Sequence, residues 1–266
     1  MTLKALIFDV DGTMADTEEA HRRAFNIAFI EHQLDWVWDR PLYARLLEVS
    51  GGKERIVSYI DSLSLAAEDK TRLYQRVPAI HGDKIRVYAD LVSSGKVSLR
   101  PGVARLLNEA RAAGVRLAVA STTTRDSVDA LIVATLGEEA LAWFSVIVCG
   151  DQVPNKKPAP DIYLLALSAL GEGAERCVAF EDSANGLKAA RAAGLFTVVT
   201  PTRWTASHDF SEAQAVLGSL DELRRPPAAF SAAVPDAFRH RMVELAHLLD
   251  AGAGRSPATA STGRPC

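Results

Sequence analysis

The chain lacks the features that mark secreted, membrane-spanning and cysteine-rich proteins. Its three cysteines, Cys149, Cys177 and Cys266, are scattered and show no C-x-x-C spacing, which is typical of reduced thiols in a cytosolic protein. No apolar run approaches the ~18–20 residues that a membrane-spanning helix needs. The first apolar run follows Met1 almost directly, without a basic leader or a small-residue cleavage site, so we expect no signal peptide. These absences predict a cytoplasmic protein that does not engage a membrane.

The chain also has no excess of basic charge. Its 30 lysine and arginine residues face 33 aspartate and glutamate residues, which gives a net charge of -3, and no basic block is present. This balance argues against nucleic acid as the main partner. With 266 residues, of which 48% are hydrophobic, the chain can form a sizeable core in one or two domains, at ~100–200 residues per domain.

Two patterns of apolar residues divide the chain. From about residue 17 to residue 90, apolar residues recur at helical spacing, and no segment has a convincing strand pattern. Later, predicted helices over 103–113, 126–135, 160–170 and 184–193 alternate with predicted strands over 116–120, 146–148, 177–180 and 196–199. Such alternation is typical of a parallel sheet with helices on both faces. The predicted fold class is therefore α/β, a doubly wound parallel-sheet core with an inserted helical cap domain.

The predicted domains follow from this division. Residues 1–16 and 94–224 form the core domain and residues 17–93 form the cap, with linkers near 14–16 and 93–100. Residues 225–266 form a C-terminal extension, in which apolar spacing indicates a possible helix over 238–251. The residues after it have a composition typical of disorder. A protein partner of this extension is unknown from the sequence.

The most informative motif directly follows the first predicted strand. Six strand-like residues, 3–8, run into Asp9, Val10, Asp11 and Gly12. Ligands of open α/β sheets bind beyond the carboxyl ends of the strands, and residues two apart in an extended chain face the same side. Asp9 and Asp11 are therefore expected to face one pocket and to share a metal or a reacting group. The alternative is a polar turn, because Asp-Gly is common in turns.

Three later strand ends also carry polar side chains. The strand over 116–120 runs into Ser121, three threonines and Arg125, which could cradle an anion or simply cap the next helix. Lys157 precedes a predicted helix and could reach back into the pocket, although a solvated surface lysine is the alternative. The strand over 177–180 ends in Glu181 and Asp182, an acidic pair that suits a divalent cation unless it only caps a helix.

In this order, the Asp-x-Asp motif, the hydroxyl cluster, the lysine and the acidic pair resemble the four motifs of the haloacid dehalogenase superfamily of phosphotransferases. The resemblance implies that Asp9 is the nucleophile that accepts the phosphoryl group. It also implies that Asp11 is the general acid and base, which protonates the leaving oxygen and then activates water. An aspartyl phosphate intermediate divides one difficult displacement into two easier ones.

The resemblance also implies the groups that hold the phosphate and the metal. Ser121 and Lys157 match the residues that bind the transferring phosphate. Asp182, with Glu181, matches the magnesium site, which Asp9 and the backbone carbonyl of Asp11 complete. The expected cofactor is therefore Mg²⁺, whose charge, with that of the lysine, offsets the repulsion between a carboxylate nucleophile and an anionic phosphate.

The position of the cap narrows the resemblance to the β-phosphoglucomutase-like group, and more closely to CbbY-type phosphatases of carbon-fixation operons. This resemblance covers about residues 3–220 and depends on segments 18–25, 35–40, 51–56, 99–102 and 156–158. It implies a small phosphorylated sugar substrate, most specifically the dephosphorylation of xylulose 1,5-bisphosphate to xylulose 5-phosphate. It does not extend to the C-terminal extension.

A bisphosphate substrate requires a second anion site away from the metal. Predicted suppliers of this site and of the sugar contacts are Glu18, His21, Tyr43, Gly52, Lys53, Arg55, Arg100, Thr122, Thr123, Thr124 and Arg125. Arginine suits phosphate because its planar fork binds two oxygens. Each assignment has a structural alternative: Arg55 as a helix-surface residue, Tyr43 as a packing aromatic, and Glu18 as an i, i+4 partner of an arginine.

Three other functions remain open at this point. A mutase of the β-phosphoglucomutase type would use the same residues and pass the phosphoryl group to a sugar instead of water. Cleavage of a carbon–phosphorus bond through a Schiff base on Lys53 is disfavoured, because that group lacks an acid at the position of Asp11. A non-catalytic binding or regulatory protein on the same fold would be expected to show degraded motifs, whereas all four are intact.

Overall fold

A six-stranded parallel sheet forms the centre of the protein. The computed structural model describes residues 3–224, and its strands are β1 (Ala5–Phe8), β2 (Arg116–Ser121), β3 (Phe144–Cys149), β4 (Cys177–Glu181), β5 (Phe196–Val199) and β6 (Ala215–Val216). Their order is β3-β2-β1-β4-β5-β6, and each neighbouring pair is parallel. Because β1 lies between β2 and β4, the residues that follow it lie in the middle of the carboxyl edge of the sheet.

Four helices follow β1 in the chain and form the cap. They are α1 (Glu18–Glu31), α2 (Arg40–Leu46), α3 (Gly52–Ser62) and α4 (Ala67–Leu91). Their apolar faces meet in a group of buried side chains, here named the cap cluster, which includes Phe25, Phe29, Trp38, Tyr43 and Ile80. The rings pack edge to face or tilted, as aromatic quadrupoles favour; the centroids of Phe29 and Trp38, for example, lie 4.8 Å apart. The four helices thus share an apolar core that is separate from the two clusters on the faces of the sheet.

Four further helices flank the sheet. They are α5 (Val103–Ala112), α6 (Arg125–Leu136), α7 (Asp161–Leu170) and α8 (Ala184–Ala192). Successive strand side chains point to opposite faces, so Leu6 and Phe8 join one apolar cluster whereas Ala5 and Ile7 join another. The predicted α/β class, with a doubly wound parallel sheet, is confirmed.

The chain enters and leaves the cap helices through two segments that run side by side. Ala15 forms bridges with both Asp11 and Leu99. The backbone N–H of Arg100 donates to the carbonyl of Met14 at 2.8 Å. Both linkers therefore lie beside the residues that follow β1, so the cap helices are placed directly over the carboxyl edge of the sheet.

The strand boundaries differ from the sequence prediction. β2 and β4 each extend one residue further, to Ser121 and Glu181, and β3 spans six residues. The sequence prediction omits β6, because two residues, of which Val216 is half exposed, give no measurable alternation. The predicted helix over 238–251 lies outside the described residues, and the domain boundaries stay a prediction. Among residues 3–224, no helix is both long and apolar enough to cross a membrane.

Candidate active site

A cleft of about 870 Å³, which includes open solvent, lies at the carboxyl edge of the sheet under the cap helices. Both parts of the protein line it. The predicted site residues among its lining are Asp9, Asp11, Glu18, His21, Gly52, Arg55, Thr122, Thr123, Thr124, Lys157 and Asp182. Residues from the ends of β1, β2 and β4 therefore meet residues of α1 and α3, although they are up to 173 positions apart in the chain, from Asp9 to Asp182.

Lys157 lies at the centre of the buried part of the site. Its ammonium donates to Asp9 Oδ1 at 2.7 Å, to Glu181 Oε1 at 2.6 Å and to the carbonyl of Ala120 at 2.9 Å. Burial acts to lower the pKa of this lysine, but the charges of Asp9 and Glu181 outweigh it and raise the pKa. The lysine is thus held as a cation beside the first aspartate.

Asp9 is 6% exposed, and a second contact orients it. Its Oδ2 accepts a hydrogen bond from Thr13 Oγ1 at 3.1 Å. Burial raises the pKa of Asp9 to about 7, and the charge of Glu181 adds to this, whereas Lys157 opposes it. The carboxylate is therefore fixed in orientation, poorly solvated and in need of additional positive charge.

Three buried carboxyl groups lie close enough to hold one cation. Asp9, Glu181 and Asp182 each offer an oxygen within 4.8 Å of the others. Burial, followed by the charges of Asp9 and Glu181, raises the pKa of Asp182 well above its usual range, and Glu181 Oε2 has no hydrogen-bond partner among the described residues. Hard carboxylate oxygens are the ligands that Mg²⁺ prefers, so this donor set fits a magnesium ion.

Gly12 gives the acidic group its space. Its φ is +86°, and a Cβ at this position would lie 2.2 Å from Asp182 Oδ2. A side chain here would therefore collide with the carboxylate in a backbone conformation that L residues rarely adopt. The glycine of the Asp-x-Asp motif is required both for the turn after β1 and for the approach of Asp182.

Asp11 lies in a different environment from Asp9. Its Oδ1 accepts from Thr17 Oγ1 at 2.7 Å and from His21 Nε2 at 2.8 Å. Burial acts to raise the pKa of Asp11, but the charge and hydrogen bond of His21, with the hydrogen bond of Thr17, lower it to about 2. The two aspartates of the motif therefore have pKa values that are shifted in opposite directions.

A buried lysine of α4 completes this arrangement. Lys84 Nζ lies 2.7 Å from His21 Nδ1, and because an ammonium only donates, Nδ1 accepts and Nε2–H donates to Asp11. The His21 ring stacks on Tyr88 at 4.0 Å. Burial lowers the pKa of Lys84 to about 8, although Asp11 opposes the shift. We name Asp11, His21 and Lys84 the cap relay.

The hydroxyl cluster lies where β2 ends and α6 begins. Thr122, Thr123 and Thr124 line the cleft, and Thr124 precedes the first residue of α6. Ser121 is 1% exposed, and its Oγ accepts from the N–H of Thr123 at 3.3 Å. The segment thus presents hydroxyl and backbone N–H groups beside Lys157, an arrangement that suits an anionic ligand.

On the cap side, Glu18 and Arg55 are linked through Tyr43. The hydroxyl of Tyr43 donates to Glu18 Oε2 at 2.8 Å, and Arg55 Nη1 donates to the same hydroxyl at 3.3 Å. Gly52 lies directly against His81, since a Cβ at residue 52 would be 2.4 Å from the imidazole Nε2. The cap therefore lines the cleft with the carboxylate of Glu18, the guanidinium of Arg55 and the backbone of Gly52.

Four predicted substrate-binding residues are not among the residues that line the cleft. Tyr43 is fully buried behind Glu18, and Lys53 is 46% exposed at the outer rim, 4.0 Å from Asp151. Arg125 is exposed and binds Asp129 at 2.7 Å on the surface of α6.

Arg100 has a different environment from the one predicted. Its guanidinium donates to the carbonyls of Gly12, Thr200 and Pro201, the last at 2.9 Å. These contacts hold both terminal nitrogens of the guanidinium against backbone carbonyls, and Arg100 is not among the residues that line the cleft. The general preference of arginine for phosphate could not distinguish this arrangement from a ligand site.

The structure adds cleft residues that sequence reasoning missed. They are Ser50, His81, Lys84, Asp151, Lys156, Thr205 and His208, among others. Lys84 had a signal: it lies four residues after Ile80 and four before Tyr88, and therefore on the buried face of α4. Thr205 and His208 had no comparable signal, because they lie in an irregular segment after β5.

Comparisons with known proteins agree with this geometry. A family model for haloacid dehalogenase-like hydrolases matches residues 3–194. Protein CbbY of Rhodobacter capsulatus is 48% identical over 236 residues, which cover 89% of this chain and 99% of that protein. The plasmid CbbY of Cupriavidus necator is also 48% identical, over 246 residues that cover 92% of this chain and 95% of the relative.

A solved structure is similar over a comparable span. Mutant CbbY from Rhodobacter sphaeroides, crystallised in complex with xylulose-(1,5)bisphosphate, is 45% identical and superposes with a TM-score of 0.78. The match covers 84% of this chain and 96% of the crystallised chain. The family model covers residues 3–194, and the two relatives and the solved structure each cover more than four fifths of the chain. The chain belongs to the haloacid dehalogenase-like hydrolases, as a phosphatase of the CbbY group.

Proposed function

We propose that this phosphatase hydrolyses xylulose 1,5-bisphosphate to xylulose 5-phosphate, with Mg²⁺ and through an aspartyl phosphate on Asp9. The observation that carries the proposal is the cleft itself. It joins a phosphate-holding lysine and an acidic cluster to a cap with additional cationic side chains. The similarity to a CbbY protein crystallised with xylulose-(1,5)bisphosphate supports this choice of sugar.

In the first step Asp9 attacks phosphorus. Lys157 and Thr13 each hold one oxygen of the Asp9 carboxylate and so fix its orientation. One carboxylate oxygen forms the new bond to phosphorus while the bond between phosphorus and the sugar oxygen breaks. The leaving sugar oxygen takes a proton from Asp11. Mg²⁺, held by Asp9, Glu181, Asp182 and the backbone carbonyl of Asp11, would neutralise charge on the phosphoryl oxygens.

In the second step Asp11, now ionised, takes a proton from water, and the water oxygen attacks the phosphoryl group on Asp9. Inorganic phosphate leaves and the carboxylate of Asp9 is restored. The contacts of the cap relay favour the second step. His21 and Thr17 stabilise the ionised form of Asp11, whereas an incoming phosphate raises its pKa towards the protonated form that the first step needs.

The second phosphate would lie towards the cap. Arg55, Lys84 and Lys156 bring positive charge to the cleft from α3, α4 and the loop before α7, and Lys53 lies at its rim. Glu18 is suited to accept hydrogen bonds from sugar hydroxyls. A site with cations at both ends favours a bisphosphate over a monophosphate of the same sugar.

The test is Mg²⁺-dependent phosphate release from xylulose 1,5-bisphosphate, ribulose 1,5-bisphosphate, hexose phosphates and phosphoglycolate. We expect the highest kcat/KM for xylulose 1,5-bisphosphate, with xylulose 5-phosphate as the sugar product. Preference for a monophosphate would contradict the bisphosphate assignment. Transfer of the phosphoryl group to a second sugar, measured by product analysis, would favour a mutase.

A further inference from the structure

A tryptophan from the sheet side of the protein packs inside the cap cluster. Trp204 follows β5, yet it is 7% exposed and belongs to the cluster formed by the cap helices. Its ring lies 5.6 Å from that of Tyr43 at an interplanar angle of 83°. The indole nitrogen has no hydrogen-bond partner among the described residues, so the ring acts through packing.

Tyr43 connects this tryptophan to the cleft. Its hydroxyl donates to Glu18 at 2.8 Å and accepts from Arg55 at 3.3 Å, and the Arg55 guanidinium lies 5.4 Å from the Tyr43 ring centroid. Burial raises the pKa of Tyr43 well above its usual range, so the phenol keeps its proton and remains a donor. Glu18 and Arg55 line the cleft, whereas Tyr43 lies behind them.

The segment that carries Trp204 is held firmly on the sheet side. The backbone N–H of Trp204 donates to Thr202 Oγ1 at 3.1 Å, and the N–H of Thr202 donates to Thr205 Oγ1 at 2.9 Å. Thr205 Oγ1 also lies 3.5 Å from Asp182 Oδ2. At the start of the segment, the guanidinium of Arg100 donates to the carbonyls of Thr200 and Pro201. The backbone of Trp204 is thus held in the segment after β5, while its ring packs in the cap cluster.

We propose that Trp204 is a positioning residue for substrate recognition: its ring holds Tyr43, and through Tyr43 it sets Glu18 and Arg55 against the sugar phosphate. The proposal deepens the proposed function and rests on it only in that the ligand is a phosphorylated sugar. It assigns a role in recognition to a residue outside the four motifs and outside the cap. Because neither Trp204 nor Tyr43 lines the cleft, their effect on the substrate is indirect.

The test compares three variants for kcat and KM, with whichever phosphorylated sugar the wild type hydrolyses best. Trp204→Ala removes the ring, and we expect KM to rise about tenfold with kcat lowered less than about threefold, since a displaced binding group costs affinity first. Trp204→Phe keeps an aromatic edge on Tyr43 and is expected to restore most of the lost affinity.

Trp36→Ala is the matched control. Trp36 is 8% exposed in the same cluster, but its ring contacts are with Phe29 and Tyr59. We expect it to lower the melting temperature without changing KM. An equal rise of KM in both alanine variants, or a wild-type KM in Trp204→Ala, would overturn the proposal.

A double-mutant cycle covers the case in which Trp204→Ala does not fold. Trp204→Leu and Tyr43→Phe are each expected to raise KM, and together they should raise it by much less than the product of the two, because both act on Glu18 and Arg55 by one route. A full multiplicative effect would contradict that route. Absence of xylulose 1,5-bisphosphate hydrolysis by the wild type would instead overturn the proposed sugar and leave this comparison intact on another substrate.

Discussion

At the scale of single residues, the two aspartates of one motif are given different properties by their neighbours. Asp9 contacts Lys157 and has two further carboxyl groups within 4.8 Å, and burial raises its pKa to about 7. Asp11 contacts Thr17 and His21, which lower its pKa to about 2. These shifts run opposite to the proposed roles, in which Asp9 attacks as a carboxylate and Asp11 donates a proton. A bound Mg²⁺ would lower the pKa of Asp9, and a bound phosphate would raise that of Asp11, so the ligands would bring both groups to the required protonation state.

The cap relay predicts a specific effect of Lys84. Lys84→Met keeps the volume of the side chain between the rings of Phe25 and Tyr88 but removes the donor to His21 Nδ1. His21 then loses its fixed tautomer, so we expect kcat to fall by about 10- to 100-fold with a folded protein. Steady-state kinetics measures kcat, and circular dichroism shows whether the variant is folded.

Lys70→Met on the same helix is the control for this change. The Lys70 ammonium donates to the carbonyl of Asp61 in an exposed contact, and Lys70 is not among the residues that line the cleft. We expect its kcat to equal that of the wild type. A wild-type kcat in Lys84→Met would show that the relay does not set the protonation of Asp11.

Gly12 allows a second residue-scale test, of the space for the metal. Gly12→Ala places a Cβ 2.2 Å from Asp182 Oδ2 at a φ of +86°. We expect loss of Mg²⁺ binding, measured by calorimetric titration, in addition to a loss of stability of about 1–2 kcal/mol from the left-handed backbone.

The matched control is Gly114→Ala. Gly114 has a φ of +73° and nothing within 4 Å of an added Cβ. This variant should lose comparable stability while binding Mg²⁺ as the wild type does. Wild-type Mg²⁺ affinity in Gly12→Ala would contradict the assigned metal site.

At the scale of elements, the site residues that could be predicted from the sequence are those at the ends of predicted strands or the starts of predicted helices. Asp9, Ser121, Lys157 and Asp182 follow successive predicted strands or precede predicted helices, and a parallel sheet gathers such positions at one edge. The helical spacing of Lys84 from Ile80 and Tyr88 indicates a buried face, but not which residue of the site the lysine meets. Trp204 lies in a segment with no regular structure, so its approach to the cap depends on tertiary packing that no local pattern contains. The strand β6 was missed for another reason, because its two residues are too few to show an alternation.

Arg100 connects the second cap linker to the loop after β1 and to the segment after β5. It donates to carbonyls of residues 12, 200 and 201, and hydrogen bonds from a charged donor are each worth about 1.5–3 kcal/mol. We therefore expect Arg100→Met to lower the free energy of unfolding in urea by at least about 1.5 kcal/mol.

Arg125→Met is the comparison for this prediction. Arg125 is exposed and paired with Asp129 on its own helix, so its loss should change the unfolding free energy little. If Arg100→Met raises KM while stability is unchanged, Arg100 contacts substrate phosphate as the sequence analysis predicted, and the anchoring role is wrong.

At the scale of the whole molecule, the burial of three carboxyl groups in one cluster makes the fold responsive to a cation. A ligand that binds only the folded state stabilises it by about 2.7 kcal/mol at a concentration 100 times its Kd. We expect Mg²⁺ to raise the melting temperature accordingly, relative to the same protein in a chelator. Asp182→Asn should abolish most of this increment, and an increment equal to that of the wild type would contradict the site.

The order of the strands explains why the account centres on Asp9. It follows the central strand β1, so the loops after β2 and β4, the lysine before α7 and the cap helices all converge on it. The central claim is that the phosphoryl group passes through this carboxylate.

The most direct measurement is incorporation of label from [³²P]xylulose 1,5-bisphosphate into rapidly quenched protein, together with phosphate release, for the wild type and Asp9→Asn. We predict label on the peptide that contains Asp9 in the wild type. Asp9→Asn should show no label and a rate of phosphate release at least about 10³-fold lower. Unchanged Mg²⁺-dependent phosphate release by Asp9→Asn would contradict the account.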